Sequence, residues 1–321
     1  MTYLPGSGPV FLLTLHRGGG TVLARVLNCH PDLVIWGEHV GLINRLAEID
    51  DMVTRVDHLM VPKTDDAIAE YTAFPDHRLT VFEPWANPFD YDVFSHSCRQ
   101  MIEAIFMRGL RPGQRWGFKE IRYHRALTVR FLEKLFPAAR FVILRRDICE
   151  VAVSTILASW SLRWFWDFRE AMPSEMAEAI VRDVTYAVLA IESGLDAVQA
   201  QVGPHCLQLD YSQLLDPALG FVAPLFGFLE LVLSDQVFAR IRKVLKVRSG
   251  ETDQEVCFGG LLSRDFIRER VNATAPDLRA EIARDGIDKA RLIARQGIGQ
   301  YSFLMGDHTL RDRSCELSGL F

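Results

Sequence analysis

The chain has 321 residues, 49% of them hydrophobic and 24% charged, enough to bury a sizeable core in one large domain or two small ones. A formal net charge of −5 leaves no broad positive field for nucleic acid or an anionic lipid surface, so any anion site has to be local. No apolar run nears the roughly 20 residues of a membrane-spanning helix, and the opening MTYLPGSGPVFLL has neither a basic leader nor a small-residue cleavage site. Six scattered cysteines without a C-x-x-C pair suit reduced thiols better than a disulfide framework or a zinc site, and the expectation is a cytoplasmic protein.

Val10 to Leu15 is a continuous apolar run and reads as a buried strand. Arg17-Gly18-Gly19-Gly20-Thr21 follows at once, and Val22, Leu23, Val26 and Leu27 then recur at helical spacing. Strand, glycine loop and helix in that order point several backbone N–H groups at one spot, where the helix dipole also favours an anion. Three glycines let the backbone wrap closely, Arg17 adds a charge and Thr21 a hydroxyl. The same residues also describe a flexible turn. A P-loop nucleoside triphosphatase would carry G-x-x-x-x-G-K-[ST], and no such lysine is present.

His30-Pro31-Asp32 ends the first helix, and Leu33 to Trp36 predicts a short strand closing at Gly37-Glu38 before a helix over Val40 to Leu46. Residues 49 to about 90 lack a sustained period and read as an insertion or cover. Tyr91 to Leu110 predicts a helix, Trp116 to Ile121 a strand, Ala126 to Phe136 a helix and Arg140 to Leu144 a strand. Arg145-Arg146-Asp147 closes that strand and a helix runs on through Val151, Ala152, Ile156 and Leu157. Trp160, Trp164, Phe165, Trp166 and Phe168 are either an acceptor wall or core and oligomer packing. Pro173 to Gln201 predicts a long helix, Cys206 to Leu209 a strand and Pro217 to Leu229 a helix, and from about 235 the chain turns mostly helical and charged. Lys246 to Gly250 is a basic stretch that suits a solvated helix end better than a phosphate contact. The alternation predicts an α/β fold with a mainly parallel central sheet flanked by helices, as a single domain over 1–321 with helical insertions.

The stretch LTLHRGGGTVLARVLNCHPDLVIWGE, from Leu13 to Glu38, resembles the 5′-phosphosulfate loop of the sulfotransferases that use 3′-phosphoadenosine 5′-phosphosulfate (PAPS), which reads strand, R-[ST]-G-[ST]-[ST], L-x-x-x-L, H-P, G-E. It is most similar to the bacterial and protein-tyrosine branch. Arg146-Asp147-Ile148-Cys149-Glu150-Val151-Ala152-Val153-Ser154 resembles the family's R-D-x-x-[DE]-V-A-x-S, Trp116 to Lys119 its G-x-K strand end, and Leu207 to Pro217 its Y-E-x-L-x-x-x-P segment. Two departures stand out: Gly18 and Gly20 replace hydroxyl residues, and Ser212 replaces the glutamate after Tyr211.

The resemblance implies a P-loop-like sulfotransferase fold with PAPS as donor and 3′-phosphoadenosine 5′-phosphate (PAP) as product. It implies that Arg17, Gly18, Gly19, Gly20, Thr21 and Val22 hold the phosphosulfate, that Arg146 and Ser154 hold the 3′-phosphate, and that Tyr211 also serves the nucleotide. Glu38 falls where the family's catalytic carboxylate does and is the expected general base, with His39 as its rival. Adjacent strand residues face opposite ways, so at most one of the two aims at the donor. Lys119 and Arg17 are candidates to neutralise developing charge, and no metal is required. The expected acceptor is a hydroxyl or amine of a small molecule, carbohydrate or lipid. A kinase using ATP and a non-catalytic nucleotide-binding protein are the competing readings.

Overall fold

The computed structural model describes residues 8–56, 68–69, 72–73, 89–157, 174–247 and 262–285. Most of the 49–90 insertion, the Trp160 to Phe168 aromatics, Arg248 to Gly250 and everything after 285 lie outside the described residues. Five strands form the sheet: β1 (Val10–Thr14), β2 (Leu33–Trp36), β3 (Arg115–Glu120), β4 (Arg140–Arg145) and β5 (Cys206–Asp210). Their order is β2-β3-β1-β4-β5 and every pairing is parallel, with Leu12 beside Lys119 on one side and Val142 on the other. A purely parallel sheet needs helices on both faces, and the strand sequences show it: β1 and β4 are apolar at nearly every position rather than at alternate ones.

Alternation sends the two sets of side chains into separate cores. Phe11, Leu13, Trp116, Phe118, Phe141 and Ile143 enter the larger one. It is covered by α2 (Leu42–Thr54), α3 (Tyr91–Phe106), α4 (Ala126–Leu135), α5 (Ile148–Ile156), α6 (Ser174–Val202) and α10 (Arg264–Asp285). Phe11 stacks on Phe118 at 4.6 Å and Phe106 on Trp116 at 5.5 Å, an aromatic floor beneath the first half of the sheet's strands. Val10, Leu12, Leu33, Ile35, Val142, Leu144 and Leu209 pack on the opposite face against α1 (Gly20–Leu27), α8 (Val222–Phe228) and α9 (Asp235–Val247). The short α7 (Tyr211–Leu215) follows β5 directly, capped by Asp210 and Gln213.

The predicted elements are present, with boundaries moved by local backbone chemistry. The helix expected over Val40 to Leu46 begins at Leu42, because Val40 (φ 61°) and Gly41 (φ 71°) are left-handed, and it continues to Thr54, into the stretch read as insertion. The helix expected from Pro217 starts only at Val222: Asp216 accepts from the Ala218 amide in a turn and Leu219 is left-handed at φ 55°. Among the described residues no helix is long and apolar enough to cross a membrane, and no group of three or more His, Cys, Asp or Glu is placed to hold a metal.

Candidate active site

β1 is the central strand, so the loop that leaves it stands in the middle of the sheet's C-terminal edge, where open parallel sheets place their ligands. Arg17 (φ 58°) and Gly19 (φ 92°) are left-handed on either side of Gly18, an alternation of the kind from which anion-binding concavities are built. Gly18 donates back to the Leu15 carbonyl at 3.0 Å, and the Gly19 carbonyl opens α1 by accepting from Val22 (2.9 Å) and Leu23 (3.2 Å). The Val22 amide is therefore engaged within the helix start, and the Thr21 side chain is exposed.

The loop glycines are sterically required. A β-carbon on Gly18 would stand 2.5 Å from the Thr14 Oγ1, and one on Gly20 would stand 2.4 Å from the Thr14 Cγ2. One on Gly19 would stand 2.3 Å from the Tyr211 ring. Thr14 is buried at the end of β1 with its hydroxyl donating toward the Leu144 carbonyl at 3.2 Å, so it cannot easily give way. The two positions where the chain departs from the hydroxyl-rich loop it resembles are the two that press on this threonine.

On the β4 side of the loop the structure brings together Arg17, Ser154, Arg146 and Tyr211. The Arg17 Nε donates to the Ser154 Oγ at 2.9 Å across 137 residues of chain. The Arg146 Nη1 donates to the Arg17 carbonyl at 2.8 Å, and its guanidinium lies 4.6 Å from the centre of the Tyr211 ring. Asp147 caps α5 by accepting from Glu150 at 3.0 Å, which fixes the helix that presents Ser154. Burial lowers the Arg146 pKa, Glu150 works against that, and the Arg17 and Arg264 charges add to the lowering. Arg268 from α10 holds Glu150 at 2.6 Å. Crowded arginines beside the glycine loop suit a phosphate-sized anion.

On the β3 side, Lys119 and Glu38 form a direct ion pair, and Arg122 reaches the other Glu38 oxygen at 3.2 Å. The Lys119 stem also passes close to Gly20, so the pair adjoins the loop. Burial alone would raise the Glu38 pKa, but hydrogen bonds and charge from Lys119, then Arg122, hold it below the usual carboxylate value. His39 turns inward. Its Nε2 pairs with the Tyr123 hydroxyl, its ring sits edge-on to Phe106, Phe118 and Tyr123, and burial holds its pKa down. The two neighbours thus face opposite ways, with the Glu38 side chain 30% exposed and that of His39 13%.

Three residues of this cluster were missed by sequence reasoning. His16, next to Arg17, is half-buried and its pKa falls to about 4, through desolvation first and the Arg17 charge second. Glu120 is fully buried, and Arg122 bonds to it at 2.6 Å. The run Lys119-Glu120-Ile121-Arg122 puts three charges at a strand end, but the letters alone do not say which of them faces the loop and which the core.

Residues 9–235 match the sequence model of the Sulfotransferase family. Among curated proteins none matches the chain. Solved structures similar to it include a sulfotransferase from Mycobacterium avium, at TM-score 0.48 and 14% identity over 88% of this chain and 78% of the other. A sulfotransferase from Alicyclobacillus acidocaldarius is similar at 0.40 and 14%, over 78% and 98%. A mouse sulfotransferase complexed with PAP is similar at 0.42 and 10%, over 91% and 90%.

Proposed function

The chain belongs to the sulfotransferase family, and from that premise we propose that it transfers a sulfuryl group from PAPS to a hydroxyl or amine of a small molecule, carbohydrate or lipid. One observation carries the donor assignment: Arg17, Ser154 and Arg146 meet on one shoulder of a glycine loop whose other shoulder holds Lys119 and Glu38. Spacing of that kind fits a nucleotide charged at two separate places. ATP would call for a lysine at the end of the loop, where Gly20 stands.

When bound, PAPS supplies a sulfuryl group on a phosphate leaving group. In this reading the loop amides, Arg17 and Lys119 hold the 5′-phosphosulfate, Arg146 and Ser154 hold the 3′-phosphate, the Arg17 bond to Ser154 ties the two ends together, and Tyr211 buttresses the loop at Gly19. Lys119 has two uses. Paired with Glu38 it keeps the carboxylate ionised and in place, and its closeness to Gly20 lets it turn to sulfuryl oxygens at the loop. Turning away removes one of the two cations that depress the basicity of Glu38. Glu38 then takes the acceptor's proton as the new oxygen–sulfur or nitrogen–sulfur bond forms and the bond to the phosphate oxygen breaks, releasing PAP. Glu38 is preferred to His39 because the imidazole is turned onto Tyr123 inside an aromatic box.

The test is calorimetric binding of PAP and ATP, followed by transfer of labelled sulfur from PAPS across a panel of phenols, sugars and lipids. The expected result is tight PAP binding, weak ATP binding, and transfer abolished in Glu38→Gln with PAP affinity kept. Magnesium-dependent phosphoryl transfer from ATP would overturn the reading in favour of a kinase. PAP binding with no transfer, and none lost in Glu38→Gln, would favour a nucleotide-binding protein.

A further inference from the structure

We propose that Glu120 and Arg122 are positioning residues for Glu38: the Glu120 carboxylate holds the turn that follows Glu38, and Arg122 is shared between the two carboxylates. The inference rests on the reading of Glu38 as general base, and neither residue is asked to touch a reactant.

Glu120 is 0% exposed, and a buried carboxylate is costly unless its oxygens are satisfied. Its Oε1 accepts from the Ile121 amide at 2.9 Å and the Arg122 Nη1 at 2.6 Å. Its Oε2 accepts from the amides of His39 at 3.1 Å and Gly41 at 3.2 Å. Those two amides flank Val40, a β-branched residue in the left-handed region at φ 61°, where a side chain is strained. Backbone of that kind persists only where its surroundings over-determine it, and the Glu120 carboxylate does so from inside the core. The Nη1 that meets Glu120 also meets the Glu38 Oε2 at 3.2 Å, and the Arg122 side chain is only 3% exposed. Glu38 is therefore held twice, through the pinned turn one residue on and through a guanidinium with little freedom to move. A buried ion pair contributes little net stability compared with apolar packing of the same volume, so its presence beside Glu38 is better explained by placement.

The experiment uses the full chain labelled with 13C at the glutamate carboxyls, without nucleotide. The signal missing in Glu38→Gln belongs to Glu38, and its titration midpoint is followed in the wild type, Arg122→Gln and Glu120→Gln. Turnover is followed as labelled sulfate released from PAPS with water as acceptor, and PAP affinity is the control for an intact nucleotide site. In Arg122→Gln the Glu38 midpoint is expected to rise, because one of the two cations that hold it down is lost. Turnover is expected to fall on the order of tenfold to a hundredfold in both variants, the range that misplacing a catalytic group produces. PAP affinity should stay within about twofold, and neither substitution should cost anything further in a Glu38→Gln background. Glu120→Gln can fail to fold, because it breaks a buried pair. Arg122→Gln then carries the test, with Arg122→Lys expected to restore part of the midpoint shift. A Glu38 midpoint that does not move in Arg122→Gln, or losses that multiply with Glu38→Gln, would overturn the proposal while leaving Glu38 as the base. Full turnover in Glu38→Gln would overturn the base assignment and the positioning pair with it.

Discussion

Two side chains that meet across 137 residues decide how the β4 shoulder can be tested. The Ser154 oxygen accepts from the Arg17 Nε and Arg146 donates to the Arg17 carbonyl, so the three are linked, and in the proposed reading Arg146 and Ser154 serve the 3′-phosphate. Removing the Ser154 hydroxyl or the Arg146 guanidinium should weaken PAP by roughly ten- to a hundredfold, the usual worth of a hydrogen bond to a charged group. The loss should be confined to ligands that carry a 3′-phosphate. Calorimetry with PAP and ADP on Ser154→Ala and Arg146→Gln checks this, and equal losses for the two ligands would assign the residues to another part of the nucleotide. Arg146 and Ser154 could be named from the sequence because the run between them resembles a family motif, and one strand end and two helical turns fix their relation locally. Glu120 and Arg122 were not legible. Nothing in the letters K-E-I-R says that the glutamate is buried while the lysine reaches Gly20; that depends on which face of β3 meets α1 and which meets the aromatic floor.

At the scale of the element, the strand–loop–helix unit explains its own departures from the hydroxyl-rich loop. Thr14 ends β1 with both branches of its side chain turned into the space that β-carbons of residues 18 and 20 would occupy. Gly20→Ser should lower the melting temperature by several degrees, the effect of roughly 1–3 kcal/mol of overpacking. Gly20→Ser combined with Thr14→Ala should recover most of it, since the methyl that clashes is then gone. Thermal melts of the two variants and of Thr14→Ala alone complete the cycle, and additive losses would show that the loop is constrained by something other than Thr14. Gly19 offers no such rescue, because its φ of 92° is unfavourable for any side chain whatever room the Tyr211 ring leaves. The strand and helix pattern around this unit was readable from hydrophobic periodicity alone. The late start of α2 was not, because two left-handed residues in succession, Val40 and Gly41, are imposed by Glu120 from a strand 79 residues away.

Across the whole molecule the site leaves a mark on acid stability. His16 is held with a pKa of about 4 against an ordinary value of 6.5, mainly by burial and then by Arg17, and burial also lowers that of His39. A histidine lowered in the folded state binds its proton more readily once the chain unfolds, so acid favours the unfolded form. The stability is whole above the ordinary histidine value and drains away as pH falls through it toward about 4. For His16 the loss comes to about 3 kcal/mol across that window. Glu38 works in the same direction but lower, since its pKa lies under the usual carboxylate value and the stability from its cations goes only as that carboxylate is protonated. Urea unfolding at pH 7.5, 6 and 5 therefore isolates the histidines. Stability should decline steadily over that range in the wild type, and His16→Gln should flatten the decline, leaving the part due to His39. A variant curve parallel to the wild type would mean that His16 titrates normally, and that the Arg17 side of the loop is wetter than its packing implies.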